Sequence, residues 1–182
     1  MSMFHARTSM RILISGASGS GTSTVGAGVA LRLDATFQDT DQLQWVESAP
    51  PFQQARSYDA RSALMLTVFE KNAKLVAAGS VIGWNDDIED GFDVVVFLYA
   101  PTAVRIERIK QRDTALFGSV RPEFLAWAAQ YDSGAMTGRS LARHNEWLCD
   151  RRCPVICIDS SPEPKELISL ISSEIRWVLD GT

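Results

Sequence analysis

At 182 residues and 20.0 kDa, with 46% hydrophobic and 22% charged residues, the chain suits one globular domain rather than a disordered tail or a membrane protein. Its formal charge of −4 argues against nonspecific binding to nucleic acid or anionic membrane, and no apolar run approaches the roughly 20 residues of a membrane span. Within that balance 14 Arg stand against 4 Lys, a skew toward the planar donor suited to bidentate contact with phosphate or carboxylate.

Residues 1–10 lack the apolar centre of a secretory signal and read as a disordered leader, with residues 11–182 as a single domain. Arg11–Ser15 reads as a buried strand and Thr22–Leu33 as the helix that follows it. Ala35–Gln38 is a short second strand. Tyr58–Lys71 is helical, with Ala60, Leu64 and Val68 at fourfold spacing predicted as its apolar face. Leu75–Ala78 and Val94–Leu98 are continuous apolar runs, as expected of strands covered on both sides. Pro101 marks a helix start, continued by Val104–Arg112. The pattern then loosens around Gly118, Gly134 and Gly138, with one short helix at Pro122–Tyr131; this stretch fits a lid and fits a plain surface insertion equally. Val155–Ile158 is the last strand, and Pro164–Leu179 the closing amphipathic helix. Strands alternating with helices predict an α/β fold with a parallel sheet. Cys149, Cys153 and Cys157 form neither a paired framework nor a metal-ligand pattern; they read as unreactive thiols around a buried strand, in a reducing, cytoplasmic setting.

The segment Ile14–Thr24 carries the most information. A strand enters a glycine-rich turn that opens straight into a helix. Such a turn curls backbone N–H groups around an anion, and the helix dipole adds positive potential there. Against the pattern G-x-x-x-x-G-K-[ST], Gly16 and Gly21 match and Ser23 falls on the Mg²⁺-ligating hydroxyl. The lysine position is Thr22. Gly16, Ala17, Ser18, Gly19, Ser20, Gly21, Thr22, Ser23 and Thr24 are the predicted phosphate-binding residues. A dinucleotide-binding turn is a second reading, since Gly16, Gly19 and Gly21 resemble some of its variants and Asp39 and Asp41 lie about twenty residues on. Thr24 in place of the third glycine, and the lack of a Tyr-x-x-x-Lys pair, weigh against it. A purely structural strand–helix turn is the third.

Asp39 and Asp41 follow the second strand, at its carboxyl end, and point into the crevice where α/β sheets bind ligands. One carboxylate there can hold Mg²⁺ through water and the other can take a proton from an attacking hydroxyl. Arg105, Arg108 and Arg112 recur at i, i+3 and i+7 on one helical face, and Arg139 and Arg143 form a further pair. A phosphate site lacking its lysine needs cations from elsewhere, and Arg112, Arg139 and Arg143 are the candidates. Gly79 lets an acceptor approach the backbone, while Trp84 either stacks on a ring or caps the core. Arg56 sits in a segment placed to fold over an acceptor. His144 reads as a helix surface residue, and His5 lies in the leader.

Together these residues resemble the nucleoside-monophosphate and shikimate kinase group, and within it bacterial adenylate kinase-like, shikimate kinase-like P-loop proteins. The resemblance rests on the loop Gly16–Thr24, Asp39-Thr-Asp41, Pro50-Pro-Phe-x-x-x-Arg56, Gly79-Ser-x-x-Gly-Trp84 and the strand from Phe92 to Pro101. It continues through Phe117-Gly118, Trp127-Ala-x-x-Tyr-Asp132, Gly138-Arg-Ser140 and His144-x-x-Trp147-Leu, spanning nearly the whole chain. Thr22 in the lysine position is similar to archaeal-type cytidylate kinases, which are active. The resemblance implies a P-loop NTPase fold: a five-stranded parallel sheet of order 2-3-1-4-5 flanked by helices, an acceptor-binding segment at about residues 41–73 and a small lid at about 113–140. It implies ATP with Mg²⁺ as phosphoryl donor and a small-molecule phosphate acceptor, with Ser23 and Asp39 toward the metal, Asp41 toward the acceptor hydroxyl, Arg56, Gly79 and Trp84 toward the acceptor, and the arginines steadying the transferred group. The chain lacks the Asp-Gly-Phe-Pro-Arg run of adenylate kinases proper. A non-catalytic nucleotide-binding sensor and an NAD(P)-dependent reductase are the alternatives.

Overall fold

The structure, a computed structural model, describes residues 9–49, 51–134 and 139–181. Most of the predicted leader, His5 included, lies outside these residues, as do Pro50 and Gly138. Five strands, β1 (Met10–Gly16), β2 (Thr36–Asp39), β3 (Lys74–Ala78), β4 (Val94–Tyr99) and β5 (Val155–Asp159), form one sheet in the order β2-β3-β1-β4-β5. Every pairing is parallel, with Ile12 of the central strand opposite Val76 on one side and Val94 on the other. The expected fold class and strand order are both present.

Because side chains alternate across a strand, the apolar runs of β1, β3 and β4 supply two cores at once. On one face Ile12, Ile14, Val96 and Leu98 pack against α1 (Thr22–Arg32) and α8 (Pro164–Asp180) through Val25, Val29, Leu167, Ile171 and Ile175. On the other, Leu13, Leu75, Val95 and Phe97 meet α3 (Tyr58–Lys71) through Met65 and Phe69, together with Trp84, Ile88 and Trp147. The buried stripe of α3 is Arg61, Ser62, Met65 and Phe69; Ala60 and Leu64 are exposed and Val68 is half-buried. The stripe opens with two polar residues, so apolar spacing pointed to its neighbour one position away.

Two short helices were not anticipated, α2 (Thr40–Gln44) and α4 (Asp86–Glu89), and α7 (Leu141–Cys149) is the helix on which His144 was expected. Each is started by a side-chain cap: Asp39 accepts from Asp41 N, Asn85 from Ile88 N, and Ser140 from Arg143 N. Helix α5 (Thr102–Phe117) runs beyond Arg112 to Gly118, and α6 (Pro122–Ala129) packs beside it. Strand β5 is an edge strand and only partly covered, so the cysteines do not surround a buried strand: Cys149 and Cys157 are exposed and Cys153 is half-buried. Among the described residues no helix is long and apolar enough to cross a membrane.

Ile171, fully buried where α8 meets the sheet, tests this layering. Ile171→Ala should cost about 2–5 kcal/mol, read as a lower urea midpoint at unchanged m-value; an unmoved midpoint would contradict the assigned core.

Candidate active site

The turn after β1 is held in place from below. Gly19 has φ +83°, and a Cβ there would lie 2.5 Å from the Arg105 carbonyl oxygen, so the loop backbone rests directly on α5. Ser20, fully buried, ties the loop to itself, its N and Oγ both donating to Ala17 O at 3.0 and 2.8 Å. Gly21 is the N-cap of α1 and brings no side chain to it, so no side-chain acceptor covers the first N–H groups of the helix. Free N–H groups and the positive end of the dipole converge on one point, a ready site for an anion.

That point lies in a cleft of about 350 Å³ lined by all of residues Gly16–Val25 with Asp39, Asp41, Gly79, Arg108, Ile109, Arg112, Arg139, Pro164 and Leu167. The nine predicted loop residues, both aspartates, Arg112, Arg139 and Gly79 are therefore brought together. Ser23 Oγ donates to Asp39 Oδ2 at 2.7 Å, while Asp39 Oδ1 accepts from Asp41 N at 2.9 Å. A hydroxyl and a carboxylate oxygen side by side are the hard donors Mg²⁺ takes, with water and phosphate oxygens completing its shell. The pair fits that ion. Among the described residues no three His, Cys, Asp or Glu cluster around a metal, so a protein-only cage is not what this site offers.

Asp41 lies 4.0 Å from Arg139. Burial raises its pKa; Arg139 opposes that, the neighbouring Asp39 charge adds to it, and Arg112 opposes it more weakly. The net result is a carboxylate that holds a proton more readily than a solvated one. The loop has Thr22 where a lysine would stand, and Arg108, Arg112 and Arg139 line the cleft. Arg112 meets Asp113 at 2.7 Å and Arg108 donates to Ser161 O at 3.2 Å. Arg108 had been read only as part of a charged helix face. Arg143 is exposed on α7 and does not line the cleft.

Three further residues take places that spacing did not show. Arg56 points its Nη1 at the carbonyls of Gln42, Leu43 and Trp45, so it caps α2 and does not face the cleft. Trp84 is 4% exposed, its carbonyl accepting from Ser62 Oγ at 2.9 Å; it belongs to the core. Gly79 does line the cleft, but its bare Cα also leaves room for Thr40, whose Oγ1 would sit 2.0 Å from a Cβ.

His144 is fully buried, not on a helix surface. Its Nδ1 shares a 2.5 Å hydrogen bond with Tyr131 Oη, and the Phe97 ring tilts against it with centroids 5.5 Å apart. Tyr131 also lies 4.9 Å from the guanidinium carbon of Arg105. Arg105 is 1% exposed, and its nitrogens reach Ala100 O, Ala128 O, Thr102 Oγ1 and, at 3.4 Å, Asp132. Arg105 was read with Arg108 and Arg112 as one charged helix face; instead it sits beneath the loop and joins α5 to α6.

No family model matches the sequence. The "Uncharacterized protein YqaC" of Bacillus subtilis (strain 168) is 35% identical over 170 residues, covering 88% of this chain and 94% of that protein. The chain belongs to the YqaC family. The fold of this YqaC-family chain is that of P-loop kinases acting on small molecules. A shikimate kinase from Bacteroides thetaiotaomicron superposes with TM-score 0.62 at 18% identity, over 94% of this chain and 98% of that one. A gluconokinase from Sinorhizobium meliloti 1021 gives 0.58 at 17%, over 94% and 98%. A deoxyadenosine kinase from M. mycoides with bound dATP gives 0.58 at 14%, over 92% and 100%.

Burial lowers the His144 pKa to about 4, helped by the positive charges of Arg139 and Arg143. The unfolded chain, with an ordinary imidazole pKa near 6.5, takes up its proton first as the solution is acidified. This contribution to stability is therefore complete above about pH 6.5 and is lost as pH falls toward 4, by roughly 3 kcal/mol. Urea unfolding between pH 7 and 4 should show that loss in the wild type and a flatter profile in His144→Gln; parallel profiles would contradict it.

Proposed function

We propose that this protein transfers the terminal phosphoryl group of ATP, with Mg²⁺, to a hydroxyl or phosphate oxygen of a small metabolite. One observation carries the reading: Ser23 and Asp39 hydrogen-bond across the mouth of a glycine-built phosphate loop, where a P-loop kinase keeps its metal. The kinase fold of the shikimate kinase, the gluconokinase and the dATP-bound deoxyadenosine kinase supports it.

In this reading the N–H groups from Ala17 to Ser23 hold the β-phosphate. Ser23 and Asp39 would hold the metal, which would supply positive charge to the phosphate oxygens of the donor. The acceptor oxygen attacks the γ-phosphorus, the bond to the β–γ bridging oxygen breaks, and ADP leaves. Asp41 orients the acceptor and takes its proton; its raised pKa suits a base that returns the proton after each turnover. Arg108, Arg112 and Arg139 stand in for the absent lysine, offering planar donors to charge spread over three equatorial oxygens. The acceptor binds over residues 41–73 and the segment 113–140 closes above. With net charge −4 and an anion site of this size, the partner is a small molecule, not nucleic acid or membrane, and the working compartment is the cytoplasm.

Ser23→Ala and Asp41→Asn should each lower Mg²⁺-dependent ADP release by at least about tenfold, equivalent to about 1.4 kcal/mol in the barrier. The measurement uses ATP with nucleosides, nucleoside monophosphates, shikimate and gluconate as acceptors. Wild-type rates in both variants would remove this assignment, and ATP bound without turnover of any acceptor would favour a nucleotide sensor.

A further inference from the structure

Helix α7 buries three residues, and only one of them, Leu148, is wholly apolar. The other two, His144 at 0% and Trp147 at 6% exposed, each carry a polar atom into the core. Leucine or phenylalanine would fill such space with no hydrogen bond to satisfy. An apolar face lets a short helix turn or slide at little cost. A buried polar tip does not, because a displaced donor or acceptor finds no water to replace its partner. His144 and Trp147 stand at i and i+3, on one face of α7. Two directional contacts so spaced fix both the rotation of the helix and its height.

Their partners belong to different parts of the cleft. His144 Nδ1 shares its 2.5 Å hydrogen bond with Tyr131 Oη, and Tyr131 O accepts from Leu141 N at 2.9 Å. One residue therefore holds the first turn of α7 twice. Tyr131 in turn lies against Arg105, on whose backbone Gly19 of the phosphate loop rests. Trp147 Nε1 donates to Glu89 Oε2 at 2.5 Å, and Glu89 Oε1 accepts from Gly83 N at 2.5 Å. Gly83 continues the stretch that leaves β3 through Gly79, which lines the cleft. Ser80, in the same stretch, donates its N–H to Thr40 Oγ1, between the two cleft aspartates, at 3.2 Å. Arg151, just past α7, lies 4.4 Å from the Trp147 ring and meets Glu89 at 3.5 Å and Asp90 at 2.8 Å, which holds the carboxylate in place. One end of α7 is thus tied to the phosphate loop and the other to the stretch beyond β3. Immediately before its N-cap Ser140 comes Arg139, 4.0 Å from Asp41.

We propose that α7 is the strut that sets Arg139 opposite Asp41, with His144 and Trp147 as positioning residues of the transfer site although neither lines the cleft. The inference rests on the kinase reading for the word transfer; the placement of Arg139 does not. A step at either tie passes along the nine residues of the helix to Arg139. Misplacing a group by about 1 Å at a reacting centre can cost on the order of a hundredfold in rate.

Tyr131→Phe and Trp147→Phe test the strut, since each removes one hydrogen bond and keeps a ring. Both should speed amide hydrogen exchange at Arg143 N and His144 N, which are bound to Ser140, by at least about tenfold. Val25 N, bound to Gly21 O at the start of α1, should keep its wild-type rate. Wild-type exchange at the start of α7 in both variants would overturn the proposal. ADP release with AMP, shikimate and gluconate as acceptors adds the catalytic side. Each variant should lower kcat at least about tenfold with the KM for ATP unchanged, and should lose that effect in an Arg139→Ala background, because residues that act through one another are not additive. The same fold-loss with and without Arg139, or wild-type kcat in both variants, would also overturn it. Glu89→Gln offers Gly83 and Trp147 one oxygen where the carboxylate has two; it should follow Trp147→Phe in both measurements and replaces it if that chain does not fold. No ADP release from any acceptor, with the exchange effect intact, would end the kinase reading and leave the strut standing.

Discussion

Arg105 lies beneath the phosphate loop with its backbone against Gly19 and its guanidinium among α5, α6 and Asp132. Thr102 donates to the same Asp132, and the Arg105 guanidinium borders the Tyr131 ring. Through Tyr131 the contact reaches His144 of α7. Loop, sheet end and the elements that carry Arg112 and Arg139 thus share one buried charge. Removing one partner of such a pair commonly costs 3–5 kcal/mol, roughly, so these elements keep or lose their arrangement together. The loop, tied to itself by the Ser20 hydroxyl, can then present its N–H groups from a braced position.

That bracing bears on the missing lysine. In a phosphate loop with lysine, a flexible ammonium follows the β- and γ-phosphates as a point charge. Here Thr22 is neutral, and Arg108 and Arg112 of α5 and Arg139 just ahead of α7 line the cleft. Arg112 shares its donors with Asp113, and Arg139 faces Asp41. Each is neutralised in part by that carboxylate. Charge at the cleft is thereby coupled to where α5 and the 139–144 stretch sit.

How far the sequence reaches can be judged residue by residue. The loop was legible because its requirements fall on local backbone: Gly19 needs a positive φ and Gly21 opens a helix. Asp39 and Asp41 were legible because a strand's end fixes where the next two side chains go. The strand order came with the family resemblance and is present in full. What failed was long-range. The burial of His144 depends on Tyr131, thirteen residues earlier in the chain, and apolar periodicity registers no histidine. The role of Arg56 depends on carbonyls of a short helix started by one aspartate. The burial of Arg61 escaped notice because its stripe begins with arginine and serine, and the apolar stripe beside it has the same fourfold spacing.

Membership of the YqaC family joins this chain to relatives in which the same arrangement can be sought: a loop without lysine, braced from below and supplied with charge from arginines. On the proposed function such a loop binds a nucleoside triphosphate with its metal. Calorimetric titration of the wild type with ATP, with Mg²⁺ and again with the metal chelated, tests it most directly. The account predicts saturable binding at one site that weakens markedly without Mg²⁺. Heat of binding from NADPH and none from ATP, or ATP binding indifferent to Mg²⁺, would contradict it.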